Sequence, residues 1–203
     1  MRSVTRALAL VLAGTLVFAT GALAAPKLVV KGDAKAWAEI AAAMTKLTKL
    51  KSYRAKGTVA GPTGPMVTLM DVVNPGSFYS KTTVGGKVVE VIQVGTAVRM
   101  RTGGGAWICD TQTQDQLGMD PEKMWGEVTA SRGPAETIAG VQTQSYTYVW
   151  KNDIMTTKNR VFVAATDGLP RRAQVLEEDG SVMMATDYFD FNAAIKITLP
   201  SCK

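Results

Sequence analysis

The sequence predicts an α+β fold: a strongly curved, barrel-like antiparallel sheet of about eleven strands, with a long N-terminal helix on its concave side and a short central helix. Three observations carry that prediction. From Ser52 onward, runs rich in Val, Thr, Tyr and Ile alternate with Gly- and Pro-bearing turns at short, regular intervals. Only one stretch, beginning at Ala34, repeats its apolar residues at three- and four-residue steps. A sheet with that many strands must curl to bury one of its faces.

The first segment, MRSVTRALALVLAGTLVFATGALAAPK, is of a different kind. Arg2 and Arg6 are positive, the run from Ala7 to Phe18 is apolar, and Ala22-Leu23-Ala24 has the small-x-small form of a processing site. This is the pattern of a secretory signal peptide cut after Ala24 or Ala25. The apolar run is short for a bilayer-spanning helix. The expected organisation is a signal peptide at 1–25 and a single domain at 26–203, periplasmic or otherwise exported. No Cys follows the processing site, so the chain is not read as a lipoprotein itself.

Asp33 suits an N-cap, and Trp37, Ile40, Ala41, Met44, Leu47 and Leu50 form a stripe at helical spacing. Glu39 lies early and Lys46, Lys49 and Lys51 late, in accord with the helix dipole. A helix from residue 34 to about 51 therefore lays its stripe on a sheet face; a basic helix lying on a membrane surface is the sharper alternative. Strands are expected at 53–60, 66–73, 77–83, 87–94, 97–101 and 106–109, separated by GPTGP, NPG, VGG, GT and TGGG. Gly85-Gly86 is a tight hairpin signal. Between Asp110 and Arg132 the alternation stops. Asp120, Pro121 and Glu122 there suit the start of a short helix. Strands resume at 135–139, 142–150, 160–165, 171–176, 181–191 and 195–199. Residues 151–158 form a polar turn, and Asp167-Gly168-Leu169-Pro170 and Glu178-Asp179-Gly180 form two more.

Much familiar chemistry is absent. With no His in the chain, a Ser-His-Asp triad, a Cys-His nucleophile and the commonest zinc ligand are all excluded. No G-x-S-x-G, P-loop or dinucleotide fingerprint occurs. Asp187 and Asp190, at odd spacing on one expected strand, should face opposite sides and form no acid–base pair. No catalytic, cofactor or metal site is expected, and the chain is not read as an enzyme. The net charge of +6 falls near +4 once Arg2 and Arg6 leave, and the basic residues are interleaved with acidic ones. That excludes a nucleic-acid binder and leaves a weak attraction to anionic envelope surfaces, hence transient membrane contact.

The two cysteines, Cys109 and Cys202, allow one intramolecular pairing, and an oxidising compartment favours it. The bridge would tie the C-terminal tail to a mid-chain strand; by the chain-entropy model a loop of that length gives about 4–5 kcal/mol at most.

Ten Met is a high count. Met66 and Met70 share a strand face because their spacing is even, and Met100 lies further along the meander. Met is adaptable and suits surfaces that take varied apolar partners. Trp37, Met44, Met66, Met70, Met100 and Trp107 are the candidate lining of an apolar cavity; the plainer alternative is that they fill the core beneath the helix.

The segment NRVFVAATDGLPRRAQVLEEDGSVMMATDYFDFNAAIKITLP, with its D-G-L-P turn, basic strand, D-G hairpin and I-x-I-x-L-P close, resembles the C-terminal half of the periplasmic lipoprotein-carrier superfamily, the LolA/LolB/LppX-like proteins. Leu50, Ser52, Tyr53 and Arg54, then V-V-N-P-G-S-F-Y (Val72 to Tyr79), and G-T-A-V-R-M before G-A-W, extend the likeness to the N-terminal half. The resemblance implies an open half-barrel with helices lidding its concave face and a cavity for a lipid or a lipoprotein's acyl chain. It also implies a latch arginine, for which Arg54 and Arg99 are the candidates. The expected function is that of an exported, monomeric lipid or lipoprotein carrier or chaperone. The alternative is an envelope sensor or protein-interaction module on the same fold, with an envelope protein as partner.

Overall fold

The computed structural model describes residues 28–61, 64–111 and 126–202. The expected signal peptide and the expected short helix near Asp120 lie outside the described residues.

One helix and twelve strands make up this part of the chain: β1 (Leu28–Gly32), α1 (Ala34–Lys49), β2 (Ser52–Val59), β3 (Met66–Val73), β4 (Ser77–Val84), β5 (Lys87–Val94), β6 (Ala97–Thr102), β7 (Ile108–Thr111), β8 (Gly126–Ile138), β9 (Val141–Lys151), β10 (Thr156–Ala164), β11 (Pro170–Leu176) and β12 (Val182–Phe189). They form a single open sheet in the order β1-β8-β9-β10-β11-β12-β2-β3-β4-β5-β6-β7. Such a sheet is consistent with a curved half-barrel. No described helix is long and apolar enough to cross a membrane.

Each hairpin register follows from its turn. Gly85 and Gly86, at φ +53° and +77°, close a two-residue loop that sets Val84 opposite Lys87. Both central residues need positive φ there, which glycine adopts without strain. The Asp167 turn caps itself: Asp167 Oδ1 accepts from Leu169 N at 2.9 Å, Gly168 takes φ +68°, and Leu169 and Pro170 are buried.

The sheet departs from the expected meander in four places. First, β1 has no counterpart among the expected strands, and it pairs parallel with β8, Leu28 beside Gly126 and Gly32 beside Ala130. A five-residue strand whose partner lies about a hundred positions away leaves no local trace. Second, β8 runs from Gly126, well before the expected start at residue 135, because Gly133-Pro134 makes a bulge where the register slips and masks the alternation. Third, β10 begins at Thr156, so the 151–158 turn shrinks to residues 152–155. Fourth, the expected strand at 195–199 joins no ladder. Ala193, Ile195, Ile197 and Leu199 are half-buried while Asn192, Ala194, Lys196 and Thr198 are exposed, so the two-residue period is real but reports contact on one side only.

α1 is capped as expected. Asp33 Oδ1 accepts from Ala36 N at 3.0 Å, and Lys46 and Lys49 occupy the last turn. Its contact stripe is rotated from the expected one. Ala36, Ile40, Ala43 and Leu47 are the buried positions, while Trp37 and Met44 flank them and are half-buried. The helix approaches the sheet where its side chains are smallest, and the bulky residues fill the wedges on either side. One cluster joins Ala36, Ile40 and Ala43 to Val128, Ala130, Tyr146, Val161 and Val163; a second joins Leu47 to Tyr53, Ala55 and Tyr188. α1 therefore crosses the strands from β8 toward β2. Polar ties hold it along its length: Asp33 N to Ala130 O (2.9 Å), Tyr146 Oη to Glu39 Oε2 (2.5 Å), Lys46 Nζ to Asp167 O (3.0 Å) and Asn74 Nδ2 to Leu50 O (2.8 Å).

Candidate functional site: the inner face of the sheet

The side that carries α1 is the inner face. Because strand side chains alternate, the ladder registers decide which residues share it. From Tyr188 the inner row runs through Ala55, Met70, Ser80, Val91 and Met100 to Ile108, each directly opposite the next. Exposure is lowest beside the helix, where Tyr188 is 4% and Ala55 1% exposed, and highest at the β7 edge, where Ile108 is 62% exposed; between them Met70, Val91 and Met100 are half-buried and Ser80 is buried. Five strand spacings from β2 to β7 give the row a span of about 24 Å. Its Ser80 is the one polar member between Ala55 and Ile108, and none of that stretch is ionisable.

A second row, Thr186, Gly57, Thr68, Thr82, Val89 and Thr102, lies alongside. Its hydroxyls are partly used up within the protein, since Thr68 and Thr82 share a hydrogen bond of 2.9 Å. A buried hydroxyl already paired does not demand a polar partner from a ligand.

Of the candidate residues, Met66, Met70 and Met100 all lie on the inner face, on β3 and β6. Trp37 and Met44 border α1: the Trp37 ring meets Tyr148 edge-on at 5.6 Å, and Met44 touches both core clusters. Trp107 does not join them, because the strand expected at 106–109 runs instead from Ile108 to Thr111 and leaves Trp107 outside it. Its ring lies under the Arg101 guanidinium at 4.5 Å, and Arg101 faces Glu90 on the outer face. Sequence reasoning missed Ser80, Val91 and Ile108. The signal was present, because the two-residue loops at Gly85-Gly86 and Gly95-Thr96 fix Ser80 opposite Val91 and Val91 opposite Met100.

Most of the ion-paired groups lie on the outer face. Arg54 pairs with Asp71 (2.9 Å) and Asp190 (2.8 Å), Arg101 with Glu90 (2.6 Å), and Arg172 with Asp187 (2.5 Å). Arg101 and the Tyr79 hydroxyl beside Glu90 hold its carboxyl below the usual range, while burial first and Glu90 second push the Tyr79 phenol up to about 12. Neither latch candidate reaches α1: Arg54 is held in its outer-face pairs, and Arg99 donates to Val98 O at 2.9 Å. Asp190 does not continue the alternation of β12. It follows the last strand residue at φ +51° and meets Arg54, so Asp187 and Asp190 both serve the outer face, contrary to the sequence expectation.

Cys109 and Cys202 form the expected disulfide, Cα atoms 6.0 Å apart. Cys109 sits opposite Arg99 on the outer face. At its other end the tail is fixed to β2, where Asn192 N donates to Ser52 O (2.8 Å) and Ser52 Oγ to Ala193 O (2.5 Å). Residues 193–202 thus form a strap from β2 to β7 across the outer face of the strands between. Among the described residues no three His, Cys, Asp or Glu side chains gather as a metal site.

No family model matches the sequence, and no curated protein matches it by sequence. Solved structures do match the fold. The chain superposes on lipoprotein LppX of Mycobacterium tuberculosis with a TM-score of 0.62 at 16% identity, covering 82% of this chain and 100% of that one. It superposes on LprF of Mycobacterium bovis with a TM-score of 0.58 at 11% identity, covering 84% of this chain and 99% of that one. At such identities the likeness is one of fold: the chain has the fold of LppX and LprF.

Proposed function

We propose that this chain is an exported binding protein that holds an acyl chain, of a lipid or of an acylated lipoprotein, against the inner face of its sheet. The observation that carries the reading is the row from Ala55 through Met70, Val91 and Met100 to Ile108, which continues past the helix with no ionisable member. Met66, Met70 and Met100 line the bound chain, Trp37 and Met44 bound it on the helix side, and Trp107 takes no part. Binding is sequestration: burial gives about 25 cal/mol per Å² of apolar surface and needs no reacting group. Because α1 is tied along its length, the ligand enters from the β5–β7 side, where the row is most exposed.

A titration with a fluorescent fatty acid tests this. Saturable binding is expected, weakened about ten-fold or more by Met70→Glu or Met100→Glu, since a carboxylate in an apolar contact is costly, and unchanged by Trp107→Ala. Absence of binding, or equal binding by the two Met variants, overturns the reading.

One observation favours a second reading, an envelope sensor or protein-interaction module without lipid. Ala36, Ile40 and Ala43 are packed closely on Val128 and Ala130, so the first turns of α1 cover a filled core. That reading calls for a protein partner at a sheet edge.

A further inference from the structure

Gly57 sits in the middle of β2, on the inner face, where a glycine weakens the strand and marks a bulge, a bend or the close approach of another group. The backbone does not call for it. Its φ is not positive, and it pairs without a register break to Thr186 of β12 and Thr68 of β3. The neighbouring side chains do not call for it either. A methyl group at Gly57 would stand 3.8 Å from Thr68 Cβ and 3.9 Å from Thr186 Oγ1, which is ordinary contact. Close approach by a group from outside the fold is the remaining reason for a residue without a side chain.

The notch over Gly57 lies just past the helix. Leu47 packs on Tyr53, Ala55 and Tyr188, and Ala55 is the preceding inner-face residue of β2. Thr186 and Thr68, on the two neighbouring strands, are each 5% exposed, whereas Gly57 between them is half-buried, so the opening is over the glycine itself. Strand spacing sets the backbones of the two walls about 10 Å apart.

The walls carry uncharged hydrogen-bond donors. The Thr186 hydroxyl has no partner among the described residues. Its oxygen is open to the notch, since the fully enclosed side-chain polar atoms left without a partner there are Arg99 Nε and Gln174 Oε1. Thr68 and Thr82 share one hydrogen bond of 2.9 Å, which uses one of their two hydroxyl protons and leaves the other. Beside the notch Tyr188 is 4% exposed, and its phenol is raised by burial first and then by Tyr53 and Tyr148, so phenols from β2, β9 and β12 lie near one another. From β12 to β6 neither inner row holds a Lys, Arg, Asp or Glu. A charged group in the notch would go uncompensated, while an uncharged acceptor would be satisfied by the hydroxyls.

We propose that the Gly57 notch seats the uncharged carbonyl of an acyl ester or amide, with Thr186 donating to its oxygen and the attached chain running past Met70 toward Met100. The proposal rests on acyl-chain binding at the inner face and adds the linkage to it: an acylated ligand is held in preference to a free fatty acid.

The test is a titration of the processed full chain at pH 8 with three fluorescent probes that share one alkyl chain: a fatty acid, its methyl ester and its N-methylamide. The ester or the amide is expected to bind about ten-fold or more tighter than the ionised acid. A tighter ester points to a lipid as the source, and a tighter amide to an N-acylated lipoprotein. Met100→Glu should weaken all three probes. Thr186→Val keeps the shape and removes the hydroxyl; it should weaken the ester and amide about five-fold and narrow their lead over the acid. Gly57→Val should fill the notch and weaken the ester and amide about ten-fold or more, with a urea midpoint no lower than that of the unaltered chain, because a strand position with room for a side chain favours a β-branched residue. Equal binding of acid, ester and amide, a full lead kept by Thr186→Val, or a Gly57→Val chain that is less stable or binds undiminished overturns the proposal and leaves acyl-chain binding standing. Binding of none of the three probes overturns both.

Discussion

Tyr146 donates to Glu39 at 2.5 Å and so fastens the middle of α1 to β9. Burial above all, and then that carboxylate, push its phenol up to about 12; burial does the same to Tyr148. Tyr79 is raised to about 12 as well, and Tyr53 and Tyr188 are raised chiefly by burial, so all five tyrosines share the direction. The fold favours the neutral phenol. Its contribution is therefore complete below the unfolded value near 10 and is lost as pH rises from about 10 through about 12. A titration followed by tyrosinate absorbance should find little ionisation at pH 10 in the folded chain and about half in urea. Normal titration of the folded chain would contradict the burial of these rings. At the same scale, the shared face of the even-spaced Met66 and Met70 was legible in the sequence, whereas the side taken by Trp107 was not. An aromatic residue outside a strand has no alternation to assign its side, and the Arg101 guanidinium decided it.

α1 was legible as an element because its cap, its period and its late lysines agree. Its contact face was not, because a search for large apolar residues passes over Ala36 and Ala43, and those are the positions nearest the sheet. This packing makes Ile40, 2% exposed between them, the most sensitive large residue of the stripe. Ile40→Ala should cost about 2–5 kcal/mol, measured as a fall in the urea midpoint with the slope unchanged; a loss under about 1 kcal/mol would mean that α1 is loosely docked. The hairpins β3 to β6 were legible to within a residue because glycine turns of fixed length set their register. β1 and the first half of β8 were not. A parallel pair joined through more than ninety intervening residues, and a strand broken by Gly133-Pro134, are products of tertiary pairing rather than of local pattern. The tail at 195–199 is the converse case, where the alternation was read correctly but its cause was a strap lying on the sheet.

Across the whole molecule the two faces divide the work. The outer face carries most of the ion pairs and the strap; the inner face carries the helix and the apolar row, with the Arg171–Asp167 pair beside the end of α1. The Cys109–Cys202 disulfide closes a loop of 93 positions and fixes the strap to β7, the edge where the row is most open. In the chain-entropy model it contributes about 4–5 kcal/mol, and the paired substitution Cys109→Ser/Cys202→Ser should lower stability to urea by up to that amount without abolishing the fold's helix–sheet core. An unchanged midpoint would mean that the strap adds nothing to the folded state. The central claim, that the inner face holds an acyl chain, is tested most directly by native mass spectrometry, with solvent extraction, on protein purified from the exported fraction without detergent. Co-purified lipid is expected at close to one molecule per chain, lost from Met100→Glu. A clean unliganded mass that stays unchanged after incubation with envelope lipids would contradict it.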